Sequence, residues 1–102
     1  MSTEPPQWTD RAGVKHDLRS VHDLTSAERH QVDFLRQQVR YTARLLDAGY
    51  NTPAIAHAPP NMMRMMLRIL LPSVAEHEIA TFDTTEGDNL LTSWWATTDA
   101  SA

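Results

Sequence analysis

The sequence predicts an all-α fold: a small bundle of three to four helices, with an extended N-terminal arm and a C-terminal tail. Three observations predict it. Apolar residues recur at helical spacing from residue 25 onward. Helix start and stop signals, among them T-S-A-E at 25–28, Gly49 and T-P at 52–53, punctuate the chain at helix-length intervals. Neither strand-like alternation, a hairpin signal nor an internal repeat is found.

Residues 1–24 hold Pro5, Pro6, Gly13 and scattered apolar side chains without a sustained period, so they read as an extended arm. Within it Val14, Leu18 and Val21 permit a short helix that forms against a surface. The first firm helix starts at Thr25, where the hydroxyl can cap the Glu28 amide while the Glu28 carboxylate reaches back. Gly49 is its expected stop. Along it Val32, Leu35, Val39, Thr42 and Leu46 form one apolar line, and Phe34, Tyr41, Leu45 and Ala48 form a second beside it. Two lines make a face wide enough for two neighbours, and two heptads are few for a coiled-coil dimer, so an intramolecular hairpin or bundle is expected.

Thr52 and Pro53 open a second helix, which Pro59 and Pro60 are expected to close after Ala58. Asn61 then caps a third helix from Met62 to Leu71, apolar on nearly every side and therefore central. Pro72 ends it; Ser73 with Glu76 forms a capping box for a helix from Val74 to about Phe82, and Asp83 with Glu86 repeats the signal before Gly87. Leu90, Leu91, Trp94 and Trp95 make one apolar patch on a short helix, and residues 96–102 read as a tail. The expected organisation is an arm (1–24), a helical core (25–82) and an acidic C-terminal segment with a Trp-containing short helix (83–102).

A core of that size is near the lower limit for independent folding, and with no cysteine there is no disulfide to staple it, so a partner chain is the expected staple. The longest nearly apolar run, residues 62–71, is interrupted by Arg64 and Arg68, and no segment has a signal-peptide plan; a soluble, cytoplasmic protein is expected. Arginine supplies eight of nine basic residues, the usage of a GC-rich genome. The net charge of −4 conceals an uneven distribution: residues 29–68 carry +4 and residues 69–102 carry −6. An acidic C-terminal segment folded back over a basic centre is the economical arrangement.

Candidate binding residues follow from these patterns. Arg36, Arg40 and Arg44 lie one above another on the first helix and suit carboxylates or phosphates. Met62, Met63 and Met66 offer an adaptable apolar surface, with core filling as the plainer use. Trp94 and Trp95 are either a docked lid or an anchor for another protein. The five histidines lack metal-ligand spacing, and no nucleophile motif, phosphate loop or paired carboxylates occur; no catalysis, cofactor, metal or small-molecule substrate is expected.

The segment from Ala43 to Ala58, A-R-L-L-D-A-G-Y-N-T-P-A-I-A-H-A, resembles the first half of a helix-turn-helix DNA-binding motif, with Ile55 and Ala56 as the packing pair. That resemblance implies a recognition helix at 62–71, with Asn61, Arg64 and Arg68 as the line that would meet nucleic acid. Against it, Pro59 and Pro60 replace the family's small turn, and the acidic chain carries a single lysine. The sequence therefore points first to a non-enzymatic protein–protein interaction or assembly subunit, self-associating or bound to a larger partner, of the kind found in phage and viral particles. A helix-turn-helix regulator is the alternative.

Overall fold

A computed structural model of the chain describes residues 6–101. It is an all-α bundle around a helical hairpin. In chain order come strands β1 (Gln7–Thr9) and β2 (Lys15–Asp17), a 3-10 turn at Val21–Asp23, and helices α1 (Ser26–Asp47), α2 (Pro53–Leu70), α3 (Glu76–Ile79) and α4 (Thr84–Ser101).

Helix α1 begins as its sequence dictates. Thr25 Oγ1 accepts from the Glu28 amide at 3.1 Å, and Glu28 Oε1 accepts from the Thr25 amide at 3.0 Å, so both halves of the capping box are made. At the far end Gly49, with φ of 95°, turns the chain where a side chain would be strained. Thr52 then caps α2 with Pro53 in its first turn, and α2 returns against α1. Val32 and Leu35 of α1 and Met63, Met66, Leu67 and Leu70 of α2 meet in the interior.

Helix α2 departs from expectation. The Pro59–Pro60 pair does not end it; residues 53–70 are one helix with both prolines inside. Each proline removes the amide that would bond to the carbonyl four residues earlier, Ile55 or Ala56, at a cost of about 3 kcal/mol per site relative to alanine. The compensation is tertiary. Ala58, Pro59 and Pro60 are part-buried, and Pro59 lines the same groove as Val39 of α1, so a break here would splay α2 from α1.

Residues 6–24 correct the expectation of an extended arm. Trp8 pairs with His16 across an antiparallel two-stranded hairpin, and Asp10 organises its loop by accepting the amides of Ala12 and Val14, both at 2.9 Å, ahead of Gly13 at φ 83°. Leu18 is fully buried. Arg19 then fastens the segment to everything around it. Its amide donates to the Leu70 carbonyl (2.9 Å), its guanidinium grips Glu28 through two bonds of 2.7 and 3.0 Å and reaches the Asp23 carbonyl at 2.8 Å, and its own carbonyl accepts from Trp94 Nε1 at 2.7 Å.

The C-terminal third also differs from its reading. Ser73 and Glu76 do not form a capping box: α3 is one short turn whose N-cap position, Ala75, has no side-chain cap, while Glu76 pairs with Arg68 (3.0 Å) and the Ser73 hydroxyl meets His16. Asp83 does start a helix, accepting the Glu86 amide at 2.7 Å. That helix runs through Gly87 to Ser101, so residues expected as a tail are helical. Gly87 is buried against Met63, and the missing side chain lets α4 approach α2. Residues 6–24, 25–82 and 83–101 thus share one interior, to which Leu18, Leu67 and Trp94 are contributed in turn.

Candidate functional site: the outer face of α1

The two apolar lines of α1 meet different fates. Val32, Leu35 and Thr42 are buried and Val39 is part-buried against α2 and α4, while Phe34 and Tyr41 on the second line are 51% and 55% exposed. Leu45 is part-buried, Ala48 is exposed, and Tyr50 just beyond the helix is 60% exposed. The bundle supplies one of the two neighbours that so wide an apolar face calls for. What remains is an aromatic stripe, spaced 4, 3, 4, 3 through Phe34, Gln38, Tyr41, Leu45 and Ala48.

The arginine row borders that stripe and is divided in use. Arg36 lies over the Trp95 ring, 3.9 Å from its centroid, in a cation–π contact, and its guanidinium approaches Asp99 at 3.9 Å. Arg40 and Arg44 are exposed, and neither has a charged partner among the described residues. The acidic segment therefore folds back over one arginine of the three and leaves two beside Tyr41. Between α1, α2 and α4 lies a groove of about 320 Å³, floored by Met63, Met66, Leu91 and Trp95 with Arg40 and Asp88 at its edges. Partial desolvation raises the Asp88 pKa.

Several expected binding residues lie elsewhere. Met63 and Met66 are core residues, 1% and 3% exposed, and Met62 is part-buried; the most exposed of this methionine group is Met65 at 42%. Trp94 and Trp95 are 1% and 8% exposed and meet edge to face with centroids 4.8 Å apart, so they are a docked lid and present no free anchor. These side chains are claimed by the interior because a chain with a small core cannot spare its largest apolar groups.

The line of Asn61, Arg64 and Arg68 does not lie open as a reading edge. Asn61 is exposed, but Arg68 pairs with Glu76, and Arg64 turns inward, donating to the Phe82 carbonyl at 3.4 Å with its Nε enclosed and unpartnered. A helix-turn-helix also requires a turn before its reading helix, and residues 53–70 have none. The resemblance ends at the loop after α1.

One cluster escaped sequence reasoning. His16 Nε2 lies 2.9 Å from Asp10 Oδ2 and His16 Nδ1 lies 3.0 Å from Ser73 Oγ. An ionised Asp10 accepts only, so Nε2 carries a proton; in the neutral imidazole Nδ1 is then the acceptor for the Ser73 hydroxyl. The His16 bond and the Val14 amide hold the Asp10 carboxyl below its usual range. With Trp8 packed at 5.7 Å from the imidazole, the cluster clasps the hairpin to the α2–α3 turn. Asp10 and Ser73 are 63 residues apart in sequence, and no local spacing signals the cluster.

Among the described residues no three His, Asp or Glu side chains are grouped to hold a metal ion, and no helix is long and apolar enough to cross a membrane. No family model, no curated protein and no solved structure matches the chain.

Proposed function

We propose that this protein is an interaction or assembly module that docks through the outer face of α1. The observation that carries the reading is the half-exposed pair Phe34 and Tyr41, one heptad apart on the side of α1 that the bundle leaves bare. Aromatic side chains contribute most where they are covered by a partner, and arginine joins them in interface hot spots. Arg40 and Arg44 suit that role because no acid within the described chain has claimed them. Arg19 fastens the first turn of α1 through Glu28, which favours rigid docking of a preformed helix over folding on binding.

The test is photo-crosslinking in the cells that make the protein, with benzoylphenylalanine in place of Phe34 and, as a control, in place of exposed Ala80 near α3. A discrete adduct from position 34 and none from position 80 is expected. No adduct from position 34 contradicts the reading.

A further inference from the structure

We infer that the occupant of this face is a second copy of the same chain, laid antiparallel so that two α1 helices pair about a two-fold axis. The inference rests on the docking role argued above. The stripe from Phe34 to Ala48 repeats with the 4, 3, 4, 3 spacing of a two-helix seam and is about 21 Å long at roughly 1.5 Å per residue. Two heptads are too few to hold two free peptides as helices. Here α1 is already ordered by its own bundle, so association does not bear the cost of helix nucleation.

Charge selects the orientation. One flank of the stripe carries Asp33, Gln37, Arg40, Arg44 and Asp47; the other runs into the buried, uncharged line of Leu35 and Thr42. Parallel helices set the charged flank against the partner's uncharged flank, and no ion pair forms. Antiparallel helices set the charged flank against its own reverse. With Phe34 opposite Leu45 of the second copy, and Gln38 opposite Tyr41, Asp33 faces Arg44 and Gln37 faces Arg40, each twice by symmetry. Asp33 holds Arg29 through Oδ2 at 3.2 Å, so its other oxygen is available to the incoming arginine. Both arginines that the acidic segment leaves uncovered thereby gain a polar neighbour.

The size of the contact sets its strength. Phe34 and Tyr41, half-exposed, each offer roughly 100 Å² of new burial. With their neighbours, the face stays short of the about 800 Å² per partner of a tight interface, so the dimer is reversible and concentration-dependent.

Native cysteine is absent, which makes disulfide trapping clean. The variants F34C and L45C are purified separately, checked for an unchanged circular dichroism spectrum, and oxidised alone and mixed. Antiparallel pairing predicts a mixed disulfide at least about tenfold in excess of either homodisulfide, since a bridge needs Cβ atoms about 4 Å apart. The pair Q38C and Y41C, one part-buried and one exposed, repeats the test at the next layer of the seam. A dominant F34C homodisulfide overturns the orientation, and no disulfide from either pair overturns self-pairing. The position-34 photo-adduct separates that failure from failure of the docking role. An adduct of twice the chain mass supports the dimer, one with a different protein overturns the dimer while leaving the docking role, and none overturns both.

Discussion

Replacing Gly87 with alanine tests whether α4 is a structural helix packed on α2. In an open helix this change stabilises by about 0.8–1.0 kcal/mol, since alanine loses less backbone entropy. At Gly87 the added methyl would meet Met63, whose Cε and Cγ lie 2.7 and 2.9 Å from the Cβ position, with Sδ nearer still. Met63 is 1% exposed, and displacing it costs about 1–3 kcal/mol of overpacking, so Gly87→Ala should lower stability by about 1 kcal/mol net. Met63→Ala alone should cost about 2–5 kcal/mol through its cavity. In that background the clash is gone and Gly87→Ala should stabilise. The two substitutions should therefore be coupled by about 1–3 kcal/mol, read from urea unfolding of the four proteins of the double-mutant cycle. A stabilising effect of equal size in both backgrounds refutes the α2–α4 contact.

Pro59→Ala and Pro60→Ala should each stabilise by about 1–2 kcal/mol, the helix-interior penalty less what proline takes from the unfolded state and from packing; thermal melts that move down instead would place a break in α2. Glu28, held to about 2 chiefly by Arg19 and next by the Thr25 amide, contributes stability that is present above its ordinary value of 4.5 and lost as pH falls through 2. Urea midpoints should therefore fall between those pH values, with Asp10 adding in the same direction, and Glu28→Gln should flatten the fall. An equally steep fall in Glu28→Gln contradicts the Arg19–Glu28 assignment.

What could be read from sequence was local. The α1 capping box, the Gly49 stop, the Thr52–Pro53 start and the two lines of α1 each depend on a few neighbouring residues, and each is found in the fold. The errors came where distant contacts overrode local signals. Pro59 and Pro60 are breakers by every local rule, but α1 holds them in a helix. Ser73 and Glu76 have capping spacing, but His16 and Arg68 claim their side chains. In the hairpin, strands of three residues are too short for alternation to register, although Asp10 and Gly13 carry a turn signal. For the candidate site, the second apolar line of α1 was visible in sequence, but not which line the bundle would cover. The methionines and tryptophans drew attention as binding groups because size and softness suit interfaces and cores alike, and only packing decides between them.

The central claim, that the outer face of α1 is a docking surface used by a second copy, is tested most directly by sedimentation of the wild-type chain and the double variant Phe34→Ser/Tyr41→Ser over about a hundredfold range of concentration. Both side chains are half-exposed, so the variant should melt as the wild type does. The wild type should rise from one chain mass toward two as concentration increases, while the variant stays at one. A wild type that stays at one chain mass throughout, or a variant that still dimerises, contradicts the account.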